Sequence, residues 1–366
     1  MAWWSARVFT LCMIVLQSSL AHADDLTDAA SAAAKAAIAR STQWTGPTKG
    51  PKAAPDKFIV YIASDMANGG VATVAKGVAE AAATIGWRLK VFDGAGTVAG
   101  RSHALDAAMS EKPDAIVIGG FDVSEDAKVF ESAGKAGIPL VGWHSGVQVG
   151  PEPAQGIFAN IGTSPKAVAQ TAADLAIADS GGKAGVVILT DSNFDIAVYK
   201  ARAMEAVIRT CSGCKVLEFI DTPISDVAKD MPALTKSLLD RYGDKWTYTL
   251  AINDNYFDFM GPTLTAAGKQ PNGIPKAISA GDGSTNAYER IRSHQFQMAS
   301  VPEPLNMQGW QVVDEINRAF AKMPWSGFIP IVHLVTADNI AFDGGVNNLY
   351  DPDNQYRDHY KAIWGK

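Results

Sequence analysis

Acidic and amide side chains stand directly after most of the apolar, strand-like runs of this sequence, often with an aromatic residue close by. Carboxylate and amide groups form planar, paired hydrogen bonds with neighbouring hydroxyl groups, and aromatic faces cover C–H surfaces. This combination is typical of a site for a small, uncharged, polyhydroxylated molecule. The candidate ligand-binding residues are Ser64, Asp65, Asn68, Asp122, Trp143, His144, Asp191, Phe194, Asn253, Tyr256, Asp282 and Glu303.

Each of these positions has a second interpretation, because Asp, Asn and Ser after a strand commonly cap the next helix. The occurrence of such residues in both halves of the chain, with aromatic residues among them, favours a binding site.

Catalytic motifs are weak. Gly94, Gly96 and Gly100 have the wrong spacing for a dinucleotide fingerprint and follow the second strand. The six histidines are far apart and lack metal-ligand spacing. We therefore expect no cofactor, no metal and no enzyme activity. The remaining enzyme hypothesis is a secreted protein that uses two carboxylates on a carbohydrate; its candidates are Asp65, Asp122, Asp191, Asp254, Asp282 and Glu303.

The length of 366 residues predicts about two domains, each with a core of its own. The net charge is −6, and the chain has no block of Lys or Arg. Proteins that bind the phosphate backbone need such a basic surface, so nucleic acid is excluded as a partner.

The first 23 residues have the pattern of a signal peptide. Arg7 is their one charge, an apolar run covers residues 8–16, and Ala21 and Ala23 are the small residues of a cleavage site. The apolar run is too short for a membrane span. We expect cleavage after Ala23 and a soluble periplasmic product; the alternatives are a buried helix or a lipoprotein attached at Cys12, which Leu11 before it disfavours.

Cys211 and Cys214 are the two cysteines outside this segment. In an oxidising compartment they can close a small disulfide loop. A redox centre would place its first cysteine at a helix N-terminus, whereas this pair follows a helical stretch. The pattern favours a structural disulfide.

After a helical segment at 25–39 and a Pro/Gly-rich tether that reaches Pro55, strands and helices alternate as in βαβ units with a buried parallel sheet. The predicted strands are Phe58–Ala63, Arg88–Phe92, Ala115–Ile118, Pro139–Trp143, Gly185–Thr190, Lys215–Ile220, Tyr248–Asn253, Lys276–Ala280, Gln297–Ser300 and Ile331–Thr336. The predicted helices are Val71–Ile85, Ser102–Ser110, Glu125–Ala136, Ile196–Arg209, Val227–Tyr242, Phe257–Ala267 and Thr285–His294.

A loop-rich stretch, 145–161, separates two α/β halves of similar size. Beyond Ser300 comes one more amphipathic helix, with apolar residues at Trp310, Val313, Ile316 and Phe320, and then the last strand. Two independent domains would not need this addition. The order predicts a chain that crosses back to the first half and then returns to the second.

Four motifs, in this order and spacing, carry a resemblance to a known family. They are Ser64 with Asn68 after the first strand, Gly137–Gly142, Ala251–Asp254 and Ser279–Gly283. From about Phe58 to Thr336 the chain resembles the type I periplasmic sugar-binding proteins, the ribose/galactose-type receptors of ABC importers. The resemblance implies an α/β fold of two doubly wound parallel-sheet lobes, joined by a three-segment hinge, that close over a sugar.

The resemblance also implies domain boundaries and partners. Residues 24–55 would form the N-terminal helix and tether, 56–157 plus 302–326 the N-terminal lobe, and 158–301 plus 327–366 the C-terminal lobe. An inner-membrane ABC permease would be the partner of a monomeric receptor. A sensory co-receptor for the same ligand class is the alternative.

Carried over by position, Ser64 and Asn68 would be first-lobe contacts, and Asn253 and Asp282 second-lobe contacts. Residues near Glu303 lie at a crossing that often bears a Gln. His144-Ser145 stands where many members have Asp-Arg, and Gly69-Gly70-Val71 replaces a pair of Phe that sandwich the sugar. These departures leave the ligand open, with Trp143, Phe194 or Tyr256 as alternative stacking residues.

Overall fold

The computed structural model describes residues 26–366. The predicted signal peptide, residues 1–23, lies outside the described residues. No helix within 26–366 combines the length and the apolar character that a membrane span requires.

The described chain begins with helix α1, residues 26–38. The first lobe then contains a six-stranded sheet with helices on both faces. Its strands are β1 (Phe58–Ala63), β2 (Arg88–Asp93), β3 (Ala115–Gly119), β4 (Leu140–Trp143), β5 (Gly150–Glu152) and β6 (Ile157–Ile161). Its helices are α2 (Gly69–Ile85), α3 (Val98–Ser110) and α4 (Ala127–Lys135). The strand order is β2-β1-β3-β4-β6-β5, parallel except for β5.

The second lobe repeats this architecture. Its strands are β7 (Gly185–Thr190), β8 (Lys215–Asp221), β9 (Tyr248–Ala251), β10 (Lys276–Ser279), β11 (Gln297–Ser300) and β12 (Val335–Thr336). Its helices are α5 (Pro165–Asp179), α6 (Asp195–Thr210), α7 (Val227–Tyr242), α8 (Asn255–Ala266), α9 (Thr285–Arg292) and α11 (Ile340–Asp343). The order is β12-β11-β10-β9-β7-β8, with β12 antiparallel. The predicted fold of two doubly wound lobes is confirmed.

The central strands explain why each sheet is covered on both faces. β1 reads Phe-Ile-Val-Tyr-Ile-Ala and β7 reads Gly-Val-Val-Ile-Leu-Thr, and every residue of β7 is buried. Continuous β-branched and apolar runs of this kind form parallel strands between two helix layers. Ligands of such sheets bind at the carboxyl ends of the strands.

The chain returns to the first lobe after β11. Helix α10 (Leu305–Phe320) packs against α2, and helix α12 (Tyr356–Trp364) packs on α10. Three segments of the predicted hinge cross between the lobes, at 162–164, 301–304 and 321–334. Two further segments connect the lobes: one follows α1, and the other lies between α11 and α12.

The first of these extra connections follows α1. Ala30 and Ala34 of α1 are buried in the core of the second lobe, and the Ala37 carbonyl accepts a hydrogen bond from Leu334 N at 2.9 Å. The chain then reaches the first lobe, where Ala54 N donates to Asn317 Oδ1 at 2.9 Å. The second connection is the tail between α11 and α12. Both chain ends therefore span the two lobes.

Two predicted lobe boundaries are wrong. β6, predicted to belong to the second lobe beyond residue 157, pairs in parallel with β4 of the first sheet. α12, also predicted in the second lobe, packs on the first because Tyr356, Tyr360 and Trp364 bury their rings against Trp310. Strands β5 and β6 lie in the stretch predicted as loop, and the last strand is shorter than predicted.

Cys211 and Cys214 are joined by a disulfide bond. The bond closes the turn between the C-terminus of α6 and β8. The predicted disulfide is confirmed, and it lies at the end of the second sheet opposite to the carboxyl ends of the strands.

Candidate ligand-binding cleft

The carboxyl ends of the parallel strands of both sheets face a shared cleft. Its inner part is a cavity of about 60 Å³ that both lobes enclose. The first lobe contributes Ser64, Asn68, Val71, Gly120, Trp143 and His144, and the second contributes Phe194, Ile196, Ala197, Lys200, Ile224, Ile252, Asn253 and Asp282. Seven of the twelve predicted residues line this cavity.

An outer cleft of about 510 Å³ adjoins the inner cavity. The two spaces share Ser64, Asn68, Phe194 and Ile224 as lining residues. The predicted residues Asp65 and Asp191 line the outer cleft, on opposite lobes. The site therefore has a narrow inner end and a wider mouth.

Ser64 and Asn68 flank the loop between β1 and α2. Ser64 N continues the sheet by donating to the Gly119 carbonyl at 2.8 Å, and the side chain is 4% exposed. Asn68 is the N-cap of α2, and its Oδ1 accepts from Gly70 N at 2.9 Å. Capping uses the oxygen of Asn68 and leaves its amide NH₂ group for the cavity that Asn68 lines. The two interpretations of this residue are compatible.

Asn253 and Asp282 form a polar pair on the opposite wall. Asn253 Nδ2 donates to Asp282 Oδ2 at 3.0 Å, and both residues are buried. Asp282 lies against the N-terminus of α2, where a Cβ atom at Gly70 would come within 2.6 Å of Asp282 Oδ2. A glycine at position 70 thus permits the close approach of the two lobes. The partial positive charge of the helix N-terminus also favours a carboxylate there.

His144 follows β4 with a left-handed backbone, at φ 50°. Non-glycine residues adopt this conformation at an energetic cost, which is commonly found at binding sites. The imidazole ring stacks on Trp143 with ring centroids 4.1 Å apart, and Trp143 Nε1 donates to Gln308 Oε1 at 2.8 Å. Helix α10 thereby fixes the Trp143 ring, which in turn supports His144 in the cavity wall.

Glu303 lies beneath His144, in the second crossing segment. Its Oε1 atom is 3.4 Å from His144 Nε2, and its Oε2 accepts hydrogen bonds from Thr163 and Gln308. Burial by itself would raise the pKa of Glu303, but the interaction with His144 and these hydrogen bonds outweigh it and lower the pKa to about 2. Glu303 is ionised and holds two hinge segments and the cavity wall together. It does not line the inner cavity.

Asp122 joins the lobes outside the inner cavity. Its Oδ2 accepts a hydrogen bond at 3.0 Å from the backbone N–H of Asp195, the first residue of α6. Burial, and to a lesser extent the nearby Asp195 and Glu125 carboxylates, raise the pKa of Asp122 to about 6, although the Asp195 N–H opposes the shift. Close by, the Arg101 guanidinium lies over the Phe194 ring, 5.8 Å from its centroid. These contacts connect the two lobes directly.

Tyr256, like Asp122 and Glu303, lines neither the inner cavity nor the outer cleft. Its side chain is fully buried in the core of the second lobe, and its hydroxyl group donates to the Thr222 carbonyl at 2.8 Å. Tyr256 is the second residue of α8, and its ring points into the core of the lobe and not toward the cleft at the strand ends.

Asp191 mainly builds the turn that follows β7. Its Oδ1 accepts from Asn193 N and its Oδ2 from Ile224 N, at 2.9 and 2.8 Å. Asp65 likewise accepts from Ala67 N at 2.8 Å. For these two residues the local hydrogen bonds account for the residue type, and their side chains contribute to the mouth of the cleft.

Sequence reasoning missed the apolar part of the cavity and one charged residue. Val71, Ile196, Ala197 and Ile252 lie on helices or at strand ends where only the fold shows their orientation. Lys200 lies in the second turn of α6. No motif surrounds Lys200, so the sequence did not indicate that it lines the cavity.

The family described as "Periplasmic binding protein domain" matches residues 59–321. The chain belongs to this family. The match begins in β1 and ends after α10, so it includes the cleft, the first sheet, five of the six strands of the second sheet and two of the three crossings. No curated protein sequence matches the chain at a significant level. The family consists of binding proteins, in agreement with the predicted lack of enzyme activity.

Solved structures share this fold. A galactofuranose-binding protein aligns with a TM-score of 0.70 at 16% identity, over 82% of this chain and 99% of its own. The glucose-galactose binding protein GanP from Geobacillus stearothermophilus aligns with a TM-score of 0.68 at 16% identity, over 78% and 99%. An ABC transporter solute-binding protein from Agrobacterium vitis, bound to α-D-tagatopyranose, aligns with a TM-score of 0.69 at 18% identity, over 80% and 99%.

Proposed function

We propose that this protein is a periplasmic receptor that binds a small polyhydroxylated ligand, a sugar or sugar derivative, between its lobes and delivers it to an ABC importer. The observation that carries the proposal is the shared cavity. Ser64 and Asn68 face it from the first lobe, and Asn253 and Asp282 face it from the second. The sugar-binding proteins with the same fold support this ligand class.

In the proposed binding mechanism the two lobes close about the hinge. A ligand that bridges the two walls stabilises the closed arrangement, because it makes its full set of contacts only there. Asp282 accepts ligand hydroxyl hydrogens, Asn253 and Asn68 donate through their amides, and the Trp143 and Phe194 rings cover C–H surface. The closed rims of the lobes would then be recognised by the permease. The predicted signal peptide supports a periplasmic location.

A ligand screen tests the receptor function. Purified protein is heated with pentoses, hexoses, polyols, nucleosides and sugar acids, since a ligand that binds only the folded state raises the melting temperature. We expect at least one of these compounds to raise it, and calorimetry then gives its Kd. A protein that binds none of them contradicts the proposal.

Two substitutions test the site. Asn253→Ala or Asp282→Ala removes a hydrogen-bonding group from the cavity wall, and we expect each to weaken binding by about 1–3 kcal/mol, roughly 5- to 150-fold. Asp240→Ala is the matched control, because Asp240 is exposed on α7 and pairs with Lys236. Unchanged affinity in both cavity variants would exclude the site.

A further inference from the structure

Lys200 is the cationic side chain of the inner cavity. It lies on α6 and is 4% exposed, and it lines the cavity together with Asn253 and Asp282. Lysine is almost never fully buried without a partner, because removing its charge from water costs several kcal/mol. Its presence in the wall of a ligand cavity therefore needs an explanation.

Backbone carbonyl groups account for two of the three ammonium hydrogens. Lys200 Nζ donates to the Ala280 carbonyl at 2.6 Å and to the Ile252 carbonyl at 3.3 Å, at the ends of β10 and β9. Gly281 leaves room for the ammonium group, since a Cβ atom there would lie 2.7 Å from Nζ. One N–H group is left for a further acceptor.

Lys200 forms no ion pair with any carboxylate of the described residues. Within residues 26–366 no carboxylate oxygen lies within 4.0 Å of its Nζ atom. Asp282, the carboxylate of the same cavity, instead accepts from Asn253 and has His144 Nδ1 3.9 Å away across the cleft. Glu303 is occupied by Thr163, Gln308 and His144. Asp282 and Glu303 thus have other partners.

We propose that the ligand supplies the missing negative charge: the site takes a small polyhydroxylated carboxylic acid whose carboxylate binds the Lys200 ammonium and whose hydroxyl groups bind Asp282 and Asn253. The inference rests on the proposed receptor function and narrows its ligand class from sugars to sugar acids. A charge-assisted hydrogen bond to a buried ammonium group is among the stronger polar contacts available. A neutral sugar would offer the remaining N–H group of Lys200 only an uncharged acceptor.

Matched pairs of ligands test this inference. The probes are D-galacturonate with D-galactose, D-glucuronate with D-glucose, and D-ribonate with ribitol, each pair differing in whether a carboxylate is present. Calorimetry at constant ionic strength measures their Kd values for the wild-type protein. We expect at least one acid to bind at least tenfold more tightly than its neutral partner.

Neutral sugars that bind as tightly as the acids, or more tightly, would overturn the inference and leave the receptor function standing. Binding of none of the six probes, together with no response in the wider screen, would overturn both. The two failures are therefore distinguishable, and neither measurement requires a substitution.

Lys200→Met separates ligand recognition from a structural role of the lysine. Methionine replaces the aliphatic part of the lysine side chain but lacks the ammonium group and its charge. We expect this variant to lose the preference for the acid, with at least a tenfold increase in Kd for the acid and less than a threefold change for the neutral partner. An equal increase in Kd for the acid and for its neutral partner would instead show that Lys200 has a structural role, in which it holds the ends of β9 and β10 together. Lys236→Met is the control, because Lys236 is 72% exposed on the same lobe.

Discussion

Glu315 illustrates how burial sets the charge of a single residue. It lies within α10, and its carboxyl group accepts hydrogen bonds from Ser326 N at 3.2 and 3.3 Å. Burial raises the pKa of Glu315 to about 8, the Asp314 carboxylate adds to this effect, and Ser326 and Arg318 oppose it. At neutral pH the folded protein holds this carboxyl group mostly protonated.

A pH dependence of stability follows. An unfolded Glu has its ordinary pKa near 4.5, so between pH 4.5 and 8 the folded state binds more protons than the unfolded state at this position. The contribution of Glu315 to the free energy of unfolding therefore falls as pH rises through this window. We expect Glu315→Gln to flatten the decline between pH 6 and 9, measured by urea unfolding.

Asp122 and Asp254 have pKa values that are each raised to about 6, mainly by burial. They contribute equally to the wild-type protein and to the variant, so the difference between the two slopes reports Glu315. Glu131→Gln is the control, since Glu131 is exposed and pairs with Lys135 on α4. An unchanged slope in Glu315→Gln would show that its carboxyl group is ionised in the folded protein at neutral pH.

For single residues, the sequence predicts which side chains lie at the strand ends better than it predicts their contacts. Ser64, Asn68, Asn253 and Asp282 could be placed in the cavity because each follows a strand of a parallel sheet. Lys200 could not, since its position depends on which face of α6 turns inward and on the proximity of two strand ends far away in the chain.

Among the elements, the 3₁₀ turn before α4 and the first turn of α6 link the two lobes. The hydrogen bond from Asp195 N to Asp122 Oδ2 exists only when they are close. We expect Asp122→Ala to destabilise the closed arrangement by about 1 kcal/mol and to weaken ligand binding roughly fivefold. Calorimetric titration with a ligand from the screen measures the change.

Asp126→Ala provides a matched control in the same turn. Asp126 Oδ2 accepts a hydrogen bond from Ser102 Oγ within the first lobe. Removing the Asp126 carboxylate therefore leaves the hydrogen bond between the lobes intact. Affinity that falls equally in both variants would point to disruption of the turn instead of loss of the interlobe bond.

The predictable elements are those with strong periodicity. The predicted strand Phe58–Ala63 coincides with β1, and the predicted helix Val227–Tyr242 with α7. Strands β5 and β6 were missed because Gly and Pro residues interrupt the stretch that contains them. Helix α5 was missed although its Ser164 N-cap and Pro165 are start signals, since the stretch lies beside a hinge segment.

Within the molecule as a whole, the tail helix α12 belongs to the core of the first lobe. Trp364 is 1% exposed, stacks on Trp310 with centroids 5.4 Å apart, and donates from Nε1 to Asp314 Oδ1 at 2.9 Å. We expect Trp364→Ala to lower the free energy of unfolding by about 3–5 kcal/mol, because it removes a large buried ring and leaves a cavity. Chemical denaturation measures this loss.

Val346→Ala is the control in the same tail. Val346 is 99% exposed, and its truncation should change the free energy of unfolding by less than about 0.5 kcal/mol. A Trp364→Ala variant as stable as this control would contradict the packing of α12 on α10.

The two-lobe plan could be predicted from the alternation of strands and helices, and the return of α10 from the extra helix after Ser300. The final position of α12 could not, because its short amphipathic pattern fits either lobe. The same limit applies to α1, whose alanine-rich sequence does not indicate a partner.

The position of α1 has a consequence for the order in which the chain assembles. This helix precedes both lobes in the sequence, yet the surface it covers includes residues near Leu334, about 300 positions later. Contacts of such sequence separation are slow to form. The helix can therefore dock only after the segment around Leu334 has taken its place on the second lobe, and refolding experiments should find the attachment of α1 among the last events.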